Sequence, residues 1–424
     1  MSKRLHGASV FVVFAILCSV LLAPAAAFAQ TQARWFSAWT VSHNARQTTP
    51  DLSNSTVRMF VRPTVSGTSV RVKLENTLGQ TPVSFSSAFV GVADSGASLV
   101  AGSNKRLTFA GRTNLTIAPG EGAWSDPVVM EVKAFQRLAV SLDVSSAPDI
   151  STHTLGLVTN YTAQGSHAAD VAGSGFTAVP PGGNVPGYPF YWLAKVDVMS
   201  SAASGTIVAF GDSITDGRCS TNEGDNVIPD RYQRWTDVLA ARLATLPAGE
   251  IKGIVNEGIA GNRIAPTGGN GPAGLVRLER DVLDRAGATH VIFFEGTNDI
   301  AGGATADQVI ASMQQVVDRV RAKGLSIIGV TIIPRGRPEN MMGWNGDMEK
   351  HRLAVNAWIR TQAKFDAVID LDPLMKGGPV YAGSESLKPE FNCGDYTHPN
   401  PAGYKVMGEA IDLRLFRNVR GGTR

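Results

Sequence analysis

The sequence is short of cysteine, of net charge and of long apolar runs. It holds three cysteines in 424 residues, and only 18% of its residues are charged, with a formal balance of +3. So even a balance argues against the basic surface of a nucleic-acid binder or a polybasic face drawn to anionic membranes. Beyond Leu22 no segment has the length and apolarity to span a bilayer. Of the histidines, His43, His153, His167 and His351 have no carboxylate at metal-ligand spacing, and His290 falls within an apolar run. No metal site and no cofactor are expected on that count.

What is present begins with a leader. Lys3 and Arg4 precede an apolar run from Ala8 to Leu22 and the small-residue pattern Ala27-Phe28-Ala29. That reads as a secretory signal peptide over residues 1–29, cleaved after Ala29, and implies a secreted or periplasmic protein. Leu17 before Cys18 argues against a lipoprotein. Cleavage removes Cys18 and leaves Cys219 and Cys393, which an oxidising compartment would join as a disulfide. Such a bridge closes a long loop and would stabilise by roughly 5 kcal/mol in the chain-entropy account. Two buried free thiols are the alternative.

Residues 30–200 alternate in short segments, among them Thr56 to Arg62, Ser69 to Leu74, Val128 to Val132 and Leu138 to Val144, separated by Gly, Ser, Asn and Pro. Val70, Val72 and Leu74 alternate with Arg71 and Lys73, the period of a half-buried antiparallel strand. The region predicts an all-β sandwich of jelly-roll type. Tyr188, Phe190, Tyr191 and Trp192 are either a sugar-stacking platform or core packing. Pro180-Pro181-Gly182-Gly183 reads as a loop, and Ser200 to Gly205, small and without periodicity, as the domain boundary.

Over residues 205–420 apolar runs and helical patterns alternate. Strands are expected at Thr206 to Phe210, Gly253 to Asn256, His290 to Glu295, Ser326 to Ile333 and Ala367 to Leu371. Helices are expected at Arg231 to Leu246, Leu275 to Arg285, Ala306 to Lys323, Glu349 to Ala363 and Pro401 to Leu415. The alternation predicts a doubly wound α/β fold with a parallel sheet, whose ligands bind at the carboxyl ends of the strands.

At those ends lie Ser213, then Asn256 to Arg263, then Glu295 to Asp299, then Asp395 to Asn400. Hydrolysis of an ester through a serine needs a base, an acid that orients it, and donors for the developing oxyanion. Ser213 is the candidate nucleophile, His398 the base and Asp395, three residues earlier, its orienter. The backbone N–H groups of Ser213 and Gly261 and the side-chain amide of Asn298 are the candidate oxyanion donors.

Gly211-Asp212-Ser213, Gly261, Gly296-Thr297-Asn298-Asp299 and Asp395-Tyr396-Thr397-His398 together resemble, in order, the four blocks of the SGNH (GDSL) hydrolases over roughly residues 205–416. The resemblance implies a flavodoxin-like fold and ester hydrolysis through a Ser-His-Asp triad and a three-donor oxyanion hole, without metal. The wording of Phe210 to Gly217, Asn256 to Arg263 and Glu295 to Ile300 is similar to the secreted XynE-type acetyl xylan esterases. An insert from Pro334 to Met348, carrying Met341, Met342 and Trp344, has no counterpart in that pattern.

The expectation is an exported serine esterase acting on short-chain acyl, chiefly acetyl, esters of polysaccharide, with Asn262 and Arg263 as polar contacts beside the oxyanion donor. Its partner is then an acylated carbohydrate or other small ester. A lipase or aryl esterase, with Met341, Met342 and Trp344 as its apolar pocket, and an inactive glycan-binding protein are the competing readings.

Overall fold

A computed structural model of the chain describes residues 1–2, 32–180, 188–266, 268–339, 341 and 343–417. The expected signal peptide, with Cys18, lies outside the described residues, as do Pro181 to Gly183 and Met342. From Gln32 onward the chain is one compact unit.

Its amino-terminal part is all β and antiparallel. The strand Leu193–Ser200 lies between Arg34–Thr40 and Gly67–Glu75 in a five-stranded sheet, and Leu138–Ser146 lies between Ser55–Val61 and Val83–Val92 in a seven-stranded one. One core, including Val57, Met59, Val72, Leu74, Val140 and Leu142, joins the two sheets. Phe190, Tyr191 and Trp192 are in that core, each at most 2% exposed, so they offer no stacking face. Trp192 meets Phe85 edge-on at 5.5 Å, and Phe190 meets Trp39 at 4.9 Å.

The segment Ser200 to Gly205, expected as the domain boundary, holds the turn between two strands. One strand ends at Ser200 and the next begins at Ala203. Small residues suit the turn because Ser200 Oγ accepts from the N–H groups of Ala202 and Ala203, both at 3.2 Å.

The remaining elements build a five-stranded parallel sheet: β1 (Ala203–Gly211), β2 (Ile251–Gly258), β3 (Ala288–Phe294), β4 (Ser326–Val330) and β5 (Ala367–Ile369). Their spatial order is β2-β1-β3-β4-β5, the doubly wound order whose switch point opens beside the first strand. Apolar runs form these strands because both faces are covered. Along β1, Ile207 and Ala209 enter one core and Val208 and Phe210 the other. Helices α2 (Trp235–Leu243) and α8 (Pro401–Ala410) cover the first face, and α5 (Ala306–Ala322) and α6 (Gly346–Thr361) the second.

Helix α5 follows its sequence signals closely. Thr305 and Gln308 close a capping box at its start, Val309, Met313, Val316 and Val320 are buried at helical spacing, and Gly324 follows with φ of 78°. Burying each such side chain contributes about 1.5–3 kcal/mol. Helix α2 starts later than its apolar pattern suggests, because Asp230 and Tyr232 sit at φ of 65° and 51°, which no helix accommodates. Helix α8 stops at Ala410, where Ile411 turns extended, and a short 3₁₀ turn carries the chain on through Phe416. Strand β4 ends at Val330, short of Ile333, because its outer neighbour β5 ends at Ile369 opposite it.

The two parts dock through buried polar groups. Thr64 Oγ1 accepts from the N–H of Ile254 and donates to its carbonyl, both at 3.1 Å, while Ser42 donates to Glu257 at 2.6 Å. His153 donates from Nε2 to Asp216 at 3.0 Å, and its Nδ1 lies 2.7 Å from the Ser42 carbonyl. Both ring nitrogens face acceptors, so the geometry calls for the imidazolium. Burial, the largest influence, opposes that charge, but the Asp216 carboxylate outweighs it and holds the His153 pKa above its ordinary value.

Candidate active site

The carboxyl edge of the sheet is where the polar blocks gather. Strand β1 ends at Gly211, and a glycine is required there: a Cβ would stand 2.2 Å from Thr215 Oγ1 and 2.7 Å from the Phe294 carbonyl at the end of β3. Asp212 then caps a one-turn helix, α1 (Ser213–Asp216), accepting from the N–H of Ile214 at 2.9 Å. Burial, the largest influence, pushes the Asp212 carboxyl up to about 7. Ser213 is the first residue of that turn, so its own N–H has no intrahelical acceptor.

Asp395 and His398 arrive on the loop before α8. His398 Nδ1 lies 2.6 Å from Asp395 Oδ2, and Nε2 lies 2.8 Å from Ser213 Oγ. Asp395 Oδ1 also accepts from the backbone N–H groups of Thr397 and His398, at 2.9 and 2.8 Å. Burial works against the Asp395 charge, but the hydrogen bonds and charge of His398 hold this carboxyl well below the usual carboxylate range. For His398 burial dominates and lowers the pKa; Asp395 pulls it back up, while the charges of Arg218 and Arg335 push it down. The ring is therefore neutral near neutral pH, with the tautomer that donates to Asp395 and accepts from Ser213.

The other two blocks are held against this one. Gly261 has φ of 75°, and a Cβ there would meet Asn270 Nδ2 at 2.6 Å. Asp216 accepts from the N–H of Ala260 at 2.8 Å, and Asp299 accepts from Ile264 at 3.1 Å, which ties the second block to the first and the third. The Asn298 amide is oriented from both sides: Nδ2 donates to the Asn262 carbonyl at 3.0 Å, and Oδ1 accepts from Arg335 at 3.2 Å. Ser213, Gly261, Asn298 and His398 line a single cavity of about 300 Å³.

Several residues at this site carry no local signal in the sequence. Arg277, fully buried, donates to the carbonyls of Gly211 and Glu257 at 2.9 and 2.7 Å and to Asn262 Oδ1 at 3.0 Å. It thereby pins the ends of β1 and β2 together. Asn44, Thr154 and Leu155 of the all-β part form one wall of the cavity. Asn44 and Thr154 hold each other, with Asn44 donating to Thr154 Oγ1 at 3.1 Å and Thr154 N–H donating back at 3.0 Å. Arg218 and Arg335 line the cavity as well. Arg335 stands just past the end of β4, at the edge where functional groups collect, and that position was the one available clue.

Other expected residues are placed elsewhere. Asn262 is 1% exposed and spends its amide on the Asn270 and Pro272 carbonyls, at 2.8 and 2.9 Å, so it braces the loop instead of facing the cavity. Arg263 lies outside the cavity lining. Of the insert, Trp344 is buried in the core beside α5 and α6 and donates to Glu349 at 3.1 Å, and Met341 does not line the cavity. Among the described residues of the insert, Arg335 lines the cavity and Arg337 donates to Thr397, another lining residue, at 2.8 Å. His167, for its part, does have a carboxylate close by in sequence, Asp170, at 2.8 Å on the surface.

Cys219 and Cys393 are disulfide-bonded, with Cα atoms 6.2 Å apart, and so tie the loop after Ser213 to the loop of Asp395 and His398. Among the described residues, the group of Cys, His or acidic donors close enough to share an ion is Cys219, Cys393 and Asp395, and two of these are the bridged sulfurs. Among the described residues no helix is long and apolar enough to cross a membrane.

No curated protein matches this chain. Among solved structures it is similar to a GDSL-like lipase from Bacteroides thetaiotaomicron, at 20% identity over 49% of this chain and 85% of that one, with a TM-score of 0.36. It is similar to the lipase/acylhydrolase from Enterococcus faecalis at 21% identity, 50% and 94% coverage and a TM-score of 0.37. A carbohydrate acetylesterase family member from Sinorhizobium meliloti aligns at 18% identity, 50% and 98% coverage and a TM-score of 0.38. The family model described as GDSL-like Lipase/Acylhydrolase family matches residues 209–406, and over those residues the chain is similar to that family.

Proposed function

We propose that the protein is an exported serine esterase that removes short acyl groups, acetyl foremost, from polysaccharide. In this reading residues 30–200 are an accessory β-sandwich domain of jelly-roll type and residues 205–420 the hydrolase domain. The observation that carries the reading is the unbroken chain from Asp395 through His398 to Ser213 Oγ, with Ser213 and His398 both lining one small cavity.

Ser213 Oγ attacks the ester carbonyl as His398 Nε2 takes its proton, and Asp395 stabilises the imidazolium. The oxyanion is received by the N–H groups of Ser213 and Gly261 and by the Asn298 amide. Collapse breaks the carbonyl–alkoxy bond, with His398 returning the proton to the departing alcohol. Water, deprotonated by the same ring, then releases the acid and regenerates the serine. A cavity of about 300 Å³ walled by Asn44, Thr154, Asn298 and two arginines suits a short acyl group on a polar alcohol better than a long chain. The disulfide fits an oxidising compartment.

The test is acetate release from acetylated glycans beside an acyl-chain series of 4-nitrophenyl esters, with Ser213→Ala as control. Acetate release that Ser213→Ala abolishes is the expected result. Preference for long chains would favour the lipase reading, and tight glycan capture without cleavage the binding-protein reading.

A further inference from the structure

We infer that the cavity at Ser213 is built for an ester carrying a carboxylate near the scissile bond, received by Arg218 and Arg335. The inference rests on the esterase reading above and narrows its substrate class.

Among the described residues two guanidinium groups line this cavity, and no carboxylate does. Arg218 follows the glycine that ends α1, and its backbone is fixed, with its carbonyl accepting from Tyr404 Oη at 2.8 Å. Among the described residues its side chain has no hydrogen-bond or ion-pair partner. Among the described residues Arg335 is hydrogen-bonded to neutral groups only: Nη1 donates to the Thr297 carbonyl and hydroxyl and to Asn298 Oδ1, at 3.4, 3.3 and 3.2 Å, while the Asp212 and Asp395 carboxylates act on its charge without bonding to it. Its Nε is buried without a partner, and its guanidinium lies 5.6 Å from the Trp344 ring centre. Both cations act on His398, whose proton affinity each lowers.

A cation held in a cleft with no anion bonded to it costs free energy that an arriving anion restores. The five donors of a guanidinium are arranged to grip a carboxylate with two parallel hydrogen bonds. An acetyl ester of a neutral sugar would leave both guanidinium groups without a bonded anion. An ester of an acid-bearing molecule answers them, with its carboxylate either on the alcohol, as in a uronate sugar, or at the far end of the acyl group.

The experiment compares matched esters. On the alcohol side, an O-acetylated uronate is set against the same O-acetylated neutral hexose; on the acyl side, 4-nitrophenyl hemisuccinate is set against 4-nitrophenyl butyrate. The anionic member of one pair is expected to show kcat/KM at least about tenfold higher at low ionic strength, and that preference should shrink as salt screens it. The pair that shows it identifies which side carries the charge. Arg218→Gln should raise the KM of the preferred anionic ester about tenfold, and Arg218→Lys should recover part of the loss. Turnover of the neutral esters with no anionic preference in either pair overturns the inference, as does a preference indifferent to salt and to both substitutions. Failure to cleave any of the four sinks the esterase reading itself.

Discussion

The two halves of this molecule use polar residues in opposite ways. In the α/β part they sit in short blocks at strand ends and are presented to one cavity: Ser213 after β1, Gly261 after β2, Asn298 after β3, Arg335 after β4 and His398 before α8. In the all-β part the comparable groups are buried and point at the neighbour. Ser42 meets Glu257, His153 meets Asp216, and the carbonyls of Leu155 and Gly156 receive Arg234 at 3.3 and 2.9 Å. The difference teaches that the β part is bonded to the same edge of the sheet on which the candidate site lies. It braces α1 through Asp216 and closes the cavity with Asn44, Thr154 and Leu155.

Substitutions can break that comparison. Ser213→Ala should lower kcat by about 10⁴-fold or more while leaving the thermal midpoint within a few degrees, measured with 4-nitrophenyl acetate and calorimetry. A serine variant retaining wild-type turnover would remove the triad from the mechanism. Asn298→Ala should cost about 10²–10³-fold in kcat, with KM little changed. On the other side, His153→Ala strands Asp216 in the interior and should destabilise by about 3 kcal/mol, read in urea unfolding. Loss of activity without loss of stability there would mean that the β part acts on chemistry directly.

Two smaller effects sharpen the contrast by pH. His153 has its pKa raised in the fold, so its contribution to stability is complete below the ordinary histidine pKa of about 6.5 and fades as pH rises through the higher folded value. Unfolding at a series of pH values should show that loss on the alkaline side in the wild type and not in His153→Gln. His398 has its pKa lowered, so the acid limb of kcat/KM should fall below the ordinary histidine range. Arg218→Gln removes one cation that depresses it and should move that limb toward higher pH; an unmoved limb would place Arg218 too far away to matter.

The sequence by itself determined what depends on neighbours along the chain. The apolar runs marked the parallel strands, the capping box and terminal glycine bounded α5, and the four polar blocks named Ser213, Gly261, Asn298, Asp395 and His398, because strand ends and tight turns are set by local backbone chemistry. Tertiary structure decided the rest, since it depends on pairs hundreds of residues apart. Only folding showed that Trp192 and Trp344 are core and that Asn262 is spent on its own loop. Only folding brought His153 to Asp216 and Arg277 to the Gly211 carbonyl, and set Asn44 in the same cavity as Ser213. No spacing rule encodes such contacts: a lone arginine or histidine reads the same in sequence whether it ends in solvent or beneath a nucleophile, and burial is what separates the two.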